Sequence, residues 1–168
     1  MIIRDRSPGD GAILEAVARE THRVDGYPKY MPDDLRSFIV DKDALGAWVA
    51  QNEHEVLGHV ALHRRSESKV MEEIRTTTGL EGDQVAVVAR LLVSPAARRQ
   101  GTGRALLDRA VEEARRLDRR AVLDVVDEHR AAIALYERAG WTRVGKVDWS
   151  LPGDRLLREF VFLSPEPD

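Results

Sequence analysis

From Val85 to Val93 the chain reads Val-Ala-Val-Val-Ala-Arg-Leu-Leu-Val, an apolar, β-branched run that predicts a strand and stops at Ser94-Pro95, where proline has no amide for a sheet ladder. From Gly103 the period changes. Leu106, Leu107, Ala110, Val111, Ala114 and Leu117 recur every three or four residues, with Arg104, Asp108, Arg109, Glu112, Glu113 and Arg116 on the other side, which predicts an amphipathic helix. Upstream, Ile2 to Arg6 reads as a strand closed by Ser7-Pro8-Gly9-Asp10, and Ile13, Leu14, Val17 and Ala18 give a helical face with Asp10 as its N-cap. Irregular chain is expected from Asp25 to Pro32, then a short helix opened by Asp33-Asp34 and carrying Leu35, Phe38 and Ile39. Ala47 to Ala50 and Val56 to His63 flank a polar turn as a hairpin does. Arg64 to Gln84 is polar with few apolar anchors and is read as a long loop, of the kind that forms lids or binding loops. Ala121 to Val126 predicts a strand, Ala131 to Arg138 a short helix ended by Ala139-Gly140, and Arg143 to Leu151 and Leu156 to Leu163 two strands around Pro152-Gly153-Asp154. This order is mixed α/β, with an antiparallel meander in its first half.

The 168 residues fit one domain, 1–168, with a single core. Charged residues reach 33%, but acids and bases nearly cancel at a net charge of -3, which argues against non-specific binding to nucleic acid or membrane. The absence of cysteine excludes disulfides, zinc–thiolate sites and a cysteine nucleophile. No apolar stretch has the length of a membrane span and the start shows no signal-peptide core, so a cytoplasmic location is the default expectation.

Candidate chemistry concentrates in Arg98-Arg99-Gln100-Gly101-Thr102-Gly103, which joins the Val85 strand to the amphipathic helix. Two glycines let the backbone approach a ligand, and the first amides of a helix have no partners within it, so they point at an anion in the turn. No Gly-Lys-Ser/Thr follows, which excludes a nucleoside-triphosphate loop, and Leu106 stands where a dinucleotide fingerprint needs its third glycine. Arg98 and Arg99 precede a helix N-terminus, where added positive charge is unfavourable unless an anion compensates it.

With its arginine-glycine turn inside "LLVSPAARRQGTGRALL" and the downstream "AAIALYERAGW", the chain resembles the GCN5-related N-acetyltransferases (GNAT) over nearly its whole length. The resemblance implies the GNAT-type acyl-CoA N-acyltransferase fold, a mixed, mostly antiparallel central sheet of about seven strands flanked by about four helices. It also implies acetyl-CoA as co-substrate, with its pyrophosphate at Arg98, Arg99, Gln100, Gly101, Thr102, Gly103 and Arg104, its pantetheine arm along the main chain of Leu91, Leu92 and Val93, and no metal. His129 stands where relatives often carry a cofactor-contacting asparagine, and imidazole donates a similar hydrogen bond. Tyr136 matches the tyrosine that commonly protonates the departing thiolate, although its helical spacing with Ile133 also suits a core aromatic.

Acetyl transfer to a primary amine further needs a polarised thioester carbonyl, for which the resemblance offers the Val93 amide, and a neutral amine. Many relatives place a glutamate on the strand before the turn, but Val85 to Val93 has only Arg90 as a titratable residue. Glu81, Asp83, His59 and His63 are the remaining candidates, none of them favoured by spacing alone. Acceptor selection is expected from Tyr27, Tyr30, the Arg64 to Gln84 segment and the turn at Trp149 to Asp154. Without cysteine, direct attack in a ternary complex is the expected route. A non-catalytic acyl-CoA-binding regulatory module is the alternative, and since relatives often dimerise, a homodimer is one assembly to expect.

Overall fold

A computed structural model describes residues 1–167. Its strands form one seven-stranded sheet in the order β1-β2-β3-β4-β5-β7-β6. The chain falls into two compact units, Met1–His63 with Val88–Glu113, and Arg64–Val87 with the chain from Ala114 onward.

In the first unit, β1 (Ile2–Asp5), β2 (Gly46–Gln51) and β3 (Val56–His63) pair antiparallel, Ile3 opposite Ala50 and Trp48 opposite Val60. Helices α1 (Gly11–Asp25) and α2 (Leu35–Ile39) cover one face, where Leu14, Val17, Ala18, Leu35 and Ile39 pack with Val49 and Leu92. The predicted Asp10 cap is corrected in one respect. Asp10 does precede α1, but its carboxylate accepts from both terminal guanidinium nitrogens of Arg4 at 2.8 Å and from the Ser7 amide at 2.7 Å rather than from the helix. A two-pronged guanidinium is the stronger partner for a carboxylate. The predicted amphipathic helix is α4 (Thr102–Arg116); Leu106, Leu107 and Ala110 are fully buried, and Arg109 lies over the Trp48 ring at 4.5 Å.

In the second unit, the first residues of β4 (Val85–Val93) pair in parallel with β5 (Arg120–Val126), and β7 (Arg155–Leu163) pairs antiparallel with both β5 and β6 (Thr142–Leu151). Helix α5 (Arg130–Arg138) is capped at Ala139, and Gly140 follows with a φ of 80°, the left-handed value common just past a helix C-cap. The long loop expected between Arg64 and Gln84 is instead largely a helix, α3 (Ser68–Thr78). Only Val70 and Ile74 on it are buried, one turn apart, and they pack on Val85, Val87, Val122, Val147 and Val161. Burial of that narrow stripe stabilises a segment whose composition looks like loop. Among the described residues five α-helices therefore flank the sheet, against about four expected. Among the described residues no helix is long and apolar enough to cross a membrane, and no group of three or more His, Asp or Glu is placed to hold a metal ion.

Candidate functional site

The turn after β4 is built by local backbone chemistry. Ser94 leaves the strand with its amide on the Leu57 carbonyl at 2.8 Å, and Pro95–Ala97 makes a single tight turn. Arg99 and Gly101 then take φ values of 60° and 81°. That conformation costs little at glycine and is uncommon at arginine, so the chain is bent sharply here by its surroundings. Thr102, 2% exposed, donates its hydroxyl to the Ala97 carbonyl at 3.2 Å and closes the loop. The first amide of α4 to bond back is that of Ala105, on the Gly101 carbonyl at 3.0 Å. The amides of Thr102, Gly103 and Arg104 precede it and by helix geometry have no acceptor within α4, so the turn carries the donors of a candidate anion cradle at the positive end of the helix dipole.

The cations around this cradle are unequal. Arg98 is ion-paired with Asp25 at the end of α1, one nitrogen at 2.7 Å, so its charge is compensated by the protein itself, contrary to the expectation that an external anion was required. Arg104 is held by Asp108 at 2.8 and 2.9 Å, one helical turn on. Gln100 donates its side-chain amide to the Ala96 carbonyl at 3.2 Å. Arg99 is exposed and forms no ion pair among the described residues, leaving it as the cation available to a ligand in the turn.

Just before the turn, β4 is interrupted at Arg90, whose φ of 55° places a left-handed residue inside a strand. Its guanidinium stacks on Phe38 at 3.6 Å and donates to the Phe38 carbonyl at 2.9 Å. Leu91 and Val93 beyond it are half-buried and Leu92 is buried. Beside them β3 carries Gly58, where a Cβ would lie 2.5 Å from the Leu92 carbonyl oxygen, so only glycine admits this close approach.

In the second unit, Tyr136 on α5 is 7% exposed, with its ring 6.1 Å from Trp141 and 5.7 Å from Phe162. His129 precedes α5 as its N-cap residue, its amide on the Val126 carbonyl at 2.9 Å. Of the four base candidates, His59 is fully buried and pushed down to about 4 by that burial, and His63 is lowered for the same reason. Glu81 and Asp83 are exposed.

A carboxyl that sequence reasoning missed is more suited to proton transfer. Glu159 on β7 stands opposite Val126 of β5, while Asp124 stands opposite Val161, so the two acids lie diagonally on one face of the paired strands. Burial, then the neighbouring Asp124 charge, pushes the Glu159 carboxyl up to about 7, and the two side chains share a hydrogen bond. Trp149 donates its indole N–H to Glu159 at 3.2 Å, and Ser66 donates its hydroxyl to Asp124 at 2.9 Å. The signal in the sequence was a lone acid inside each of two apolar strands. Of the expected acceptor residues, Trp149 thus touches this pair, Tyr30 is 57% exposed, and Tyr27 packs against the α1–α2 core.

Residues 12–141 match the acetyltransferase (GNAT) family profile. No curated protein matches the chain. Solved structures do: yncA of Salmonella typhimurium with its cofactor acetyl-CoA (TM-score 0.70, 19% identity, 96% of this chain and 91% of that one). The ribosomal-protein-S18-alanine N-acetyltransferase of Escherichia coli is similar at TM-score 0.68 and 18% identity, over 98% of this chain and 92% of that one. Arabidopsis thaliana NAA60 in complex with acetyl-CoA is similar at TM-score 0.69 and 21% identity, over 96% of each chain.

Proposed function

Because the chain belongs to the GNAT acetyltransferase family, we propose that it is an N-acetyltransferase that takes its acetyl group from acetyl-CoA and passes it directly to a primary amine. The observation that carries this reading is the turn at Arg99 to Arg104, where three amides without helical partners and one uncommitted arginine meet a left-handed bend. That donor set suits a pyrophosphate, since main-chain N–H groups at a helix N-terminus and a guanidinium are both anion ligands. Arg99, Gly101, Thr102, Gly103 and Arg104 would hold the pyrophosphate, with Leu91 to Val93 receiving the pantetheine arm. Bound acetyl-CoA supplies the activated thioester, which is the only chemistry asked of it.

The chain's own residues handle protons. An amine must lose a proton to attack the thioester carbonyl, and the Asp124–Glu159 pair has the acidity such an acceptor needs, its Glu159 carboxyl being raised to about 7. As nitrogen bonds to the carbonyl carbon the carbon–sulfur bond breaks, and the Tyr136 hydroxyl returns a proton to sulfur. The Val93 amide steadies the carbonyl oxygen while negative charge develops there. The feature that favoured a non-catalytic binding module was the lack of an acid on β4, and the raised Glu159 carboxyl on β7 supplies the chain with another group of suitable acidity. Incubation with acetyl-CoA and a panel of small-molecule amines and peptide N-termini, following free thiol, tests the proposal. Release of thiol with at least one amine is expected. A raised melting temperature with acetyl-CoA but no thiol release from any amine favours the binding module.

A further inference from the structure

His59 is a buried polar side chain for which the proposed reaction has no direct use, and its partners define what it does. On β3 it stands opposite Val49, which puts it on the face covered by α1 and α2, and it is 0% exposed. Its Nε2 lies 3.1 Å from an Arg6 guanidinium nitrogen, and its Nδ1 lies 2.9 Å from the Arg90 carbonyl oxygen. A guanidinium only donates, so Nε2 accepts, and the single proton of the neutral ring is on Nδ1 and is donated to Arg90. Arg6 is fixed in turn, donating to the Ile39 carbonyl at 2.9 Å. The ring therefore spans from Arg6 to the one residue of β4 in a left-handed conformation. A side chain that bonds the main-chain carbonyl of a left-handed residue inside a strand gives that carbonyl a fixed partner where the backbone departs from strand geometry.

We propose that His59 is a positioning residue: by holding the Arg90 carbonyl, it fixes the bend that aims the main chain of Leu91 to Val93 toward the acyl-CoA arm. This rests on the reading of those residues as the arm's binding strand. Arg90 itself secures the bend from its side chain, through Phe38, and His59 secures it from the main chain, so the two act on one residue from independent directions. A histidine is suited to this task because it accepts from Arg6 on one edge while donating to Arg90 on the other.

The test compares H59N, H59Q and H59L. Asparagine places an amide N–H near the Nδ1 position and keeps the donor to Arg90, whereas glutamine reaches toward Arg6 and leucine fills the space with no donor. Acetyl-CoA affinity of H59N is expected to stay near that of the wild type, while H59Q weakens it about tenfold, the equivalent of one buried hydrogen bond. Saturating turnover is expected to change far less than the KM for acetyl-CoA. Amide hydrogen exchange, read without any ligand, is expected to accelerate at Leu91 to Val93 in H59Q and H59L but not in H59N. If H59L does not fold, the contrast between H59N and H59Q carries the test. Unchanged exchange at Leu91 to Val93 in H59Q, or equal losses in H59N and H59Q that follow melting temperature alone, overturns the proposal. Failure of the wild type to bind acetyl-CoA overturns the functional reading instead, and leaves the exchange result to judge the brace.

Discussion

Gly58→Ala probes how closely β3 approaches the strand that leads to the anion cradle. An added Cβ would lie 2.5 Å from the Leu92 carbonyl oxygen, 3.0 Å from Leu106 Cδ1 and 3.4 Å from Val93 Cα. Leu106 has rotamer freedom with which to yield, but the Leu92 oxygen is main chain. Restoring an ordinary carbon–oxygen separation moves β3 and β4 apart by roughly 0.7 Å, and interiors packed to crystal density resist such a shift. Because β3 is also paired to β2, displacement strains a second ladder. Overpacking of this kind costs about 2 to 3 kcal/mol, which for a chain of this size lowers the melting temperature by roughly 5 to 10 °C. Acetyl-CoA affinity should fall as well, since Leu92 and Val93 are the residues displaced. Thermal unfolding and calorimetric titration with acetyl-CoA measure the two effects. Gly9→Ala, whose added Cβ meets only Ser7 Oγ at 3.9 Å, is the control. A Gly58→Ala protein that melts and binds acetyl-CoA like the control would falsify this account of the β3–β4 approach.

The other predictions address proton handling and the fold. The rate constant kcat/KM should rise with pH through about 7 as Glu159 ionises, and Glu159→Gln should lower kcat about 100-fold and remove that limb; an unaltered limb assigns it to another group. The same shift has the opposite sign for stability: a carboxyl raised by burial favours the fold most when protonated, and that contribution fades as pH rises from its ordinary range through about 7. Tyr136→Phe should reduce turnover about tenfold or more with CoA affinity nearly intact, whereas a loss confined to affinity or stability makes the ring a packing element between Trp141 and Phe162. Asp10 is held down to about 2 by Arg4, so its ion pair stabilises the fold above the ordinary carboxylate range and is lost as pH falls through about 2. Asp10→Asn should accordingly cost about 2 kcal/mol in urea unfolding at neutral pH and little near pH 2.

What could be read from the sequence was local. The Val85 strand, the α4 stripe and the glycines between them are neighbours in the chain, and their periods and turn residues define them without tertiary help. The α3 helix was hidden because its buried stripe is only Val70 and Ile74, with Met71 partly buried beside them, among charged and hydroxyl residues. Arg98 could not be told from Arg99 because the difference is Asp25, 73 residues away. The Asp124–Glu159 pair depends on the register between β5 and β7, which no local pattern specifies. His59 was visible as a titratable residue in a strand, but its role depends on a main-chain bend at Arg90 that a non-glycine residue does not advertise.

The most direct test of the central claim is a crystal structure of the protein with acetyl-CoA. Pyrophosphate oxygens are expected within hydrogen-bond distance of the amides of Thr102, Gly103 and Arg104, with Arg99 beside them and the pantetheine arm along Leu91 to Val93. Density for the pyrophosphate anywhere other than this turn, or no bound acetyl-CoA at saturating concentration, would contradict it.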